Sequence, residues 1–255
     1  MKFRQQGSTL IIVLIFLVAI TIIGTLAIRQ SMVGLNIATN SQVQQLLVQN
    51  SDAAFFNVEE ERNLLRSLAS NGMFGFIDTP NRKDMEMVFC FRGTNTDFFN
   101  LNQASLMQWR EGDTKPTNNM MGTNGYCDVE KAGNFFTSGR RVTMTQVAVK
   151  FPSSMPDTDP FFGALYNTDE EVLKRLEAVK VVKVFAVSIT PGISNVDRTR
   201  INECLQQRMN EVTIPDGTTV NENAPERLSV TECLDSLNIP FASHVNEYVI
   251  AQDFS

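Results

Sequence analysis

From Leu10 to Ile28 the chain reads LIIVLIFLVAITIIGTLAI, 19 residues without a charge. A helix of that length spans roughly 28 Å, close to the hydrocarbon thickness of a bilayer. Lys2 and Arg4 precede the run, Arg29 follows it, and the next basic residue is Arg62. The basic flank is therefore the N-terminal one. It should stay cytoplasmic while the remainder of the chain is exported.

Three kinds of N-terminus carry such a run. A cleaved secretory signal has an apolar region of about 7–15 residues followed by an A-x-A-like site. This run is longer, and no convincing site follows it. An ordinary single-pass anchor fits both length and charge. The third kind has a short basic leader that is cut before the apolar run. Here the leader is MKFRQQG, ending in Gly7, and the apolar run begins almost at once after Ser8 and Thr9.

This arrangement resembles the class III leader of type IV pilins and type II secretion pseudopilins. In more detail, RQQGSTLIIVLIFLVAITIIGTLAIR is similar to the N-terminal segment of PilX-type minor pilins of type IV pili. The resemblance covers about the first 50 residues. It implies cleavage between Gly7 and Ser8 and N-methylation of Ser8. Most pilins carry Glu at the fifth mature position, which is Ile12 when Ser8 is counted first. In that family the Glu neutralises the methylated amine of a neighbouring subunit within the membrane, where an unpaired carboxylate is costly. A subunit at the filament end has no earlier subunit to pair with. The missing carboxylate at Ile12 therefore fits a tip position, and PilX-type pilins share it.

Helical character continues beyond Ile28, with no proline before Pro80. Val43, Leu46, Leu47, Ala54, Val58, Leu65 and Leu68 recur mostly at three- or four-residue steps, as one apolar stripe on a polar helix. Gly72 is a natural stop. A continuous helix from Ser8 to about Ser70 would be on the order of 90 Å long. Gly24 and Gly34 are its weak points, a place for local melting near Gly24 or for close helix packing. The expected organisation is a leader over 1–7, the long helix over 8–71 with its transmembrane half at about 10–28, and a globular head over 72–255.

Within the head, Met85–Phe91, Thr145–Phe151, Val181–Ile189 and Tyr248–Ala251 read as strands. Asp169–Val179, Asn195–Asn210 and Glu226–Leu237 read as helices, and Thr94–Lys115 and Pro152–Pro160 as loops. The fold class expected is α+β and pilin-like: the long N-terminal helix laid on an antiparallel sheet of about four strands.

Cys90, Cys127, Cys204 and Cys233 form an even set in a region expected to be exported, where disulfides persist. Four cysteines allow three pairings. We favour Cys90 with Cys127 and Cys204 with Cys233, because the second pair sits in matching Glu-Cys-Leu contexts and closes a modest loop. The wide spacing and the absence of CxxC or a nearby His speak against zinc.

His244 is the only histidine, and no GxSxG, HExxH, Walker A or GxGxxG occurs. No catalytic, cofactor or metal residue is therefore expected. Glu59-Glu60-Glu61 reads as a solvated helix face, and Asp157 and Asp159 as turn residues rather than calcium ligands. Trp109, Phe98-Phe99 and Phe135-Phe136 read as core. Phe161-Phe162, after a proline-rich loop, is the best candidate for an exposed partner anchor. A net charge of −6 disfavours nucleic acid as a partner.

By the resemblance, the function is to help initiate type IV pilus assembly at or near the tip. The implied partners are other minor pilins, the major pilin, the inner-membrane assembly platform, the prepilin peptidase and a tip adhesin. The chain would sit in the bacterial inner membrane with its head in the periplasm, and in the extracellular pilus after assembly. The alternatives are a type II secretion pseudopilin, or a single-pass membrane protein with a periplasmic ligand-binding or adhesive head.

Overall fold

The computed structural model describes residues 8–92, 100–136, 142–153 and 179–251, in two units, 1–45 and 46–255. Helix α1 (Ser8–Glu59) is 52 residues long. In the first unit its side chains from Leu10 to Gln45 are exposed, apart from half-buried Val43. It stays helical through Gly24 and Gly34.

In the second unit α1 turns Leu47, Asn50, Ser51, Ala54, Phe55 and Val58 inward. Their three- and four-residue steps define one helix face. Only Leu47, Ala54 and Val58 of the expected stripe are buried, whereas Leu46, Leu65 and Leu68 are exposed. Asn50 and Ser51 lie on the buried face because each finds a partner there. The Ser51 hydroxyl hydrogen-bonds that of Ser188 at 2.8 Å, and Ser188 in turn that of Thr145 at 2.7 Å. Asn50 Nδ2 donates to Thr143 Oγ1 and to the Leu46 carbonyl, both at 2.8 Å. Satisfied polar groups such as these are tolerated in a core.

The helix ends at Glu59, earlier than the glycine at position 72 suggests. Glu60 is extended (φ −60°, ψ 125°), and α2 (Glu61–Leu68) starts anew. An acid placed in the first turn of a helix favours its macrodipole. The break puts Glu61 in the first turn of α2. Asn63 Nδ2 then donates to the Asn57 carbonyl at 2.8 Å, one of the acceptors the end of α1 leaves open. At Gly72 a β-carbon would collide with the Arg66 carbonyl, so the turn into α3 (Met73–Ile77) requires glycine.

Five strands follow: β1 (Glu86–Phe91), β2 (Ala104–Met107), β3 (Met144–Lys150), β4 (Val179–Ile189) and β5 (Phe241–Ala251). They form one antiparallel sheet in the order β2-β1-β3-β4-β5. Two strand expectations change. Ala104–Met107 lies inside the expected loop, yet pairs with β1 from Glu86 to Phe89. It has no β-branched residue, so tertiary pairing sets its conformation rather than propensity. The last strand begins seven residues before Tyr248, since β5 pairs with β4 along its whole length.

Both faces of the sheet are covered over β1, β2 and β3, which is why Met87–Phe91 reads as a continuous apolar run. On one face Met87, Phe89, Val147, Val149, Val182 and Val184 pack with Ala54, Phe55 and Val58 of α1. On the other, Val187 and Ile189 pack with α4 (Arg198–Gln207) and α5 (Val230–Ser236), and Val88 and Phe185 with Trp109, Tyr126 and Met209. Asp197 caps α4 by accepting from Thr199 N at 3.0 Å, and Ser229 and Glu232 form a capping box on α5. The hydrogen bonds from Ser229 hold the Glu232 carboxyl below its ordinary value. Cys90 is joined to Cys127, which ties β1 to the following segment, and Cys204 to Cys233, which ties α4 to α5.

Two buried charges fasten the chain that leaves α4. Glu86 stands opposite Lys150 in the β1–β3 register, and both are fully buried. The Glu86 carboxylate accepts from Asn210 N at 2.8 Å, Asn210 Nδ2 at 3.0 Å and Glu211 N at 2.8 Å. Lys150 Nζ donates to the Glu211 carbonyl at 3.0 Å and to Thr213 Oγ1. Lys183 Nζ pairs with the Glu211 carboxylate at 3.0 Å. Removing either buried charge would strand the other without a counter-charge.

Two expectations follow. Burial pushes the Glu86 carboxyl above its ordinary value, against the N–H donors of Asn210 and Glu211 and the charge of Lys150. The folded state then binds this proton more tightly than the unfolded state. Its stabilising effect is full below the ordinary carboxylate pKa and is lost as pH rises through the raised one. Denaturant midpoints of the full chain in detergent, taken from about pH 4 to 8, should show this decline, and Glu86→Gln should flatten it. Parallel profiles would contradict the assignment. Paired Cys→Ser changes at 90 and 127, or at 204 and 233, should each lower the unfolding free energy by roughly 3–4 kcal/mol in the loop-entropy model. Guanidinium midpoints measure the loss, and unchanged midpoints would contradict the link.

Candidate assembly interface

The first element to consider is α1 itself. From Ser8 to Ser51 its only charged residue is Arg29, and the first acid in the chain is Asp52. Large apolar side chains are exposed on all sides from Leu10 to Ile28 and onward at Met32, Val33, Leu35 and Ile37. The two hydroxyls between Leu10 and Ile28 are satisfied internally. Thr21 Oγ1 donates to the Val18 carbonyl and Thr25 Oγ1 to the Ile22 carbonyl, both at 2.8 Å. Hydroxyls bonded back to the helix add little cost in an apolar surrounding. The helix is long and apolar enough to cross a membrane.

Ser8 is the first residue of α1, and Gly7 lies outside the described residues. Ile12 is half exposed, on a stretch of α1 that carries no carboxylate before Asp52. Such a surface can be hidden from water by lipid or by other apolar helices. It can do so without a charge-pairing step.

Of the aromatic residues singled out by sequence, Trp109 is buried and its Nε1 donates to the Asp113 carbonyl at 2.8 Å. Phe135 and Phe136 are half buried, and Phe136 stacks on Phe91 with ring centroids 4.6 Å apart. Phe98, Phe99, Phe161, Phe162, Asp157 and Asp159, and the expected helix from 169 up to 178, lie outside the described residues. Val179, the last residue of that expected helix, opens β4 instead.

The sequence reading missed one surface in the head. Near its end α1 carries Asp52, Phe56 and Glu59 on the side facing β5. With Phe55, His244 and Asn246 they line a groove of about 320 Å³. Phe56 is 73% exposed although it lies next to the buried Phe55. His244 Nδ1 is 3.6 Å from Asp52 Oδ1, and the Tyr248 hydroxyl donates to Glu59 Oε1 at 2.8 Å. Burial, with the Glu59 charge adding to it, pushes the Tyr248 phenol up to about 12. The available signal was Phe55-Phe56 followed by acids, an aromatic pair that one helix face cannot bury whole.

Among the described residues, no three His, Cys, Asp or Glu side chains gather closely enough to hold a metal ion. No protein-family model, curated protein or solved structure matches the chain.

Proposed function

We propose that this chain is a minor pilin, of the PilX type, that helps initiate type IV pilus assembly and sits at or near the filament tip. One observation carries the reading. A single helix is uncharged and apolar on all sides over its membrane-length part, and the same helix supplies the docked face of an antiparallel-sheet head. In a pilin each half has a use: the apolar half moves from bilayer to filament core, and the docked half carries the head along. Two disulfides suit a head exposed to an oxidising compartment. The basic leader ending in Gly7 and the apolar Ile12 supply the processing and tip arguments. Other minor pilins, the major pilin, the assembly platform, the prepilin peptidase and a tip adhesin are its partners on this reading. It assigns the chain no catalytic, cofactor or metal role.

The test is Ile12→Glu in a strain lacking the native copy, at matched expression. The change places an acid among apolar helices, at an insertion cost on the order of 3 kcal/mol. A shaft subunit would recover that cost by pairing with a neighbour's amine. A tip subunit has no such neighbour, so piliation should be unchanged or lost. A clear rise of labelled protein along the shaft of sheared pili would overturn the tip assignment.

A further inference from the structure

The last strand of the sheet is open in a way that edge strands seldom are. β5 pairs with β4 residue for residue over eleven positions, from Val179↔Ala251 to Ile189↔Phe241, without a bulge. It contains no proline and no lysine, and its one acid, Glu247, lies 3.7 Å from Lys183 of β4. Among the described residues no strand pairs with its outer edge. The opposite edge, β2, is only four residues long. Long, flat, unprotected edges invite another chain, and folded proteins normally blunt them with bulges, prolines or lysines. An edge strand leaves the N–H and C=O groups of alternate residues unpaired, which suits an added strand.

The two sides of this edge differ. On the α1 side lies the groove with Asp52, Phe56 and Glu59. On the other side Val245 and Val249 are exposed, Val249 by 64%. A strand laid along β5 would send alternate side chains to these two sides. Those on the α1 side would meet two carboxylates and an aromatic ring, a setting for Lys or Arg. Those on the other side would meet Val245 and Val249, with Glu247 between them held toward Lys183, a setting for β-branched residues.

We propose that β5 and the adjoining groove dock an extended segment of a partner protein in which basic and apolar residues alternate. The basic side chains sit in the groove between Asp52 and Glu59 against Phe56, and the backbone extends the sheet. Pairing of two copies through β5 is disfavoured, because it would bring two acidic grooves to one seam. This inference does not depend on the pilin reading and can fail without it.

The experiment uses the full chain in detergent micelles and three labelled synthetic peptides. One alternates Lys with Val and Thr, one alternates Glu with Val and Thr, and one scrambles the first so that its lysines cluster. Fluorescence anisotropy measures binding, and hydrogen exchange measures protection of the amides from 241 to 251. The alternating Lys peptide should bind and protect β5. The Glu and scrambled peptides should bind at least about tenfold more weakly, a difference of about 1.4 kcal/mol per factor of ten. Phe56→Ala, or Asp52→Asn with Glu59→Gln, should weaken the Lys peptide by a similar factor. Val249→Lys, at an exposed position, should do the same through the edge. Equal binding of all three peptides, binding without protection of β5, or no binding would each overturn the proposal. So would β5 protection that rises with protein concentration alone, the mark of a second copy on the edge.

Discussion

A helix with no charge but Arg29 between Ser8 and Ser51 cannot be left in water. Burying its exposed Leu, Ile, Val and Phe side chains is worth roughly 1.5–3 kcal/mol each, so the sum over the apolar run is on the order of tens of kcal/mol. Hydroxyls in the run are bonded to its own backbone, which removes the main penalty for entering an apolar medium. The remaining features follow from where this helix must go. Beyond Gln45 its buried face becomes narrower and partly polar, with Asn50 and Ser51 set against Thr143, Thr145 and Ser188. That face keeps the head on the helix through specific hydrogen bonds as well as apolar area.

The sheet is held from the other side by covalent and ionic fasteners. The Cys204–Cys233 bond joins two short helices that have few apolar residues of their own. Glu86 and Lys150 anchor the segment that leaves α4, each bonded to its backbone or side chains. A buried pair of this kind adds little net stability over apolar residues, but it is demanding about geometry. Its effect here is to fix one path for residues 210–213 across the sheet.

Much of this architecture was legible in the sequence, and the departures have physical causes. The apolar run, β1, β3 and β4 carry strong periodic or β-branched signals, and the structure places strands or helix there. The two cysteine pairs in the structure are those favoured from spacing and context. β2 and the first part of β5 were illegible, because Ala104–Met107 and Ala242–Glu247 carry weak strand propensity and are set by their neighbours. The end of α1 at Glu59 was illegible, because 59–61 carry no glycine or proline to mark a stop and Glu60 is nevertheless extended. The groove beside β5 was missed because exposure of Phe56 is a property of the packed helix, which periodicity alone does not give.

The account rests on the N-terminus being trimmed before the apolar helix rather than after it or not at all. The most direct measurement is the intact mass and N-terminal sequence of the membrane-bound protein, made in cells that contain a prepilin peptidase. The account predicts a chain that begins at Ser8, carries one added methyl group and keeps the whole of Leu10–Ile28. A chain that still begins at Met1, or one that begins beyond Ile28, would contradict it.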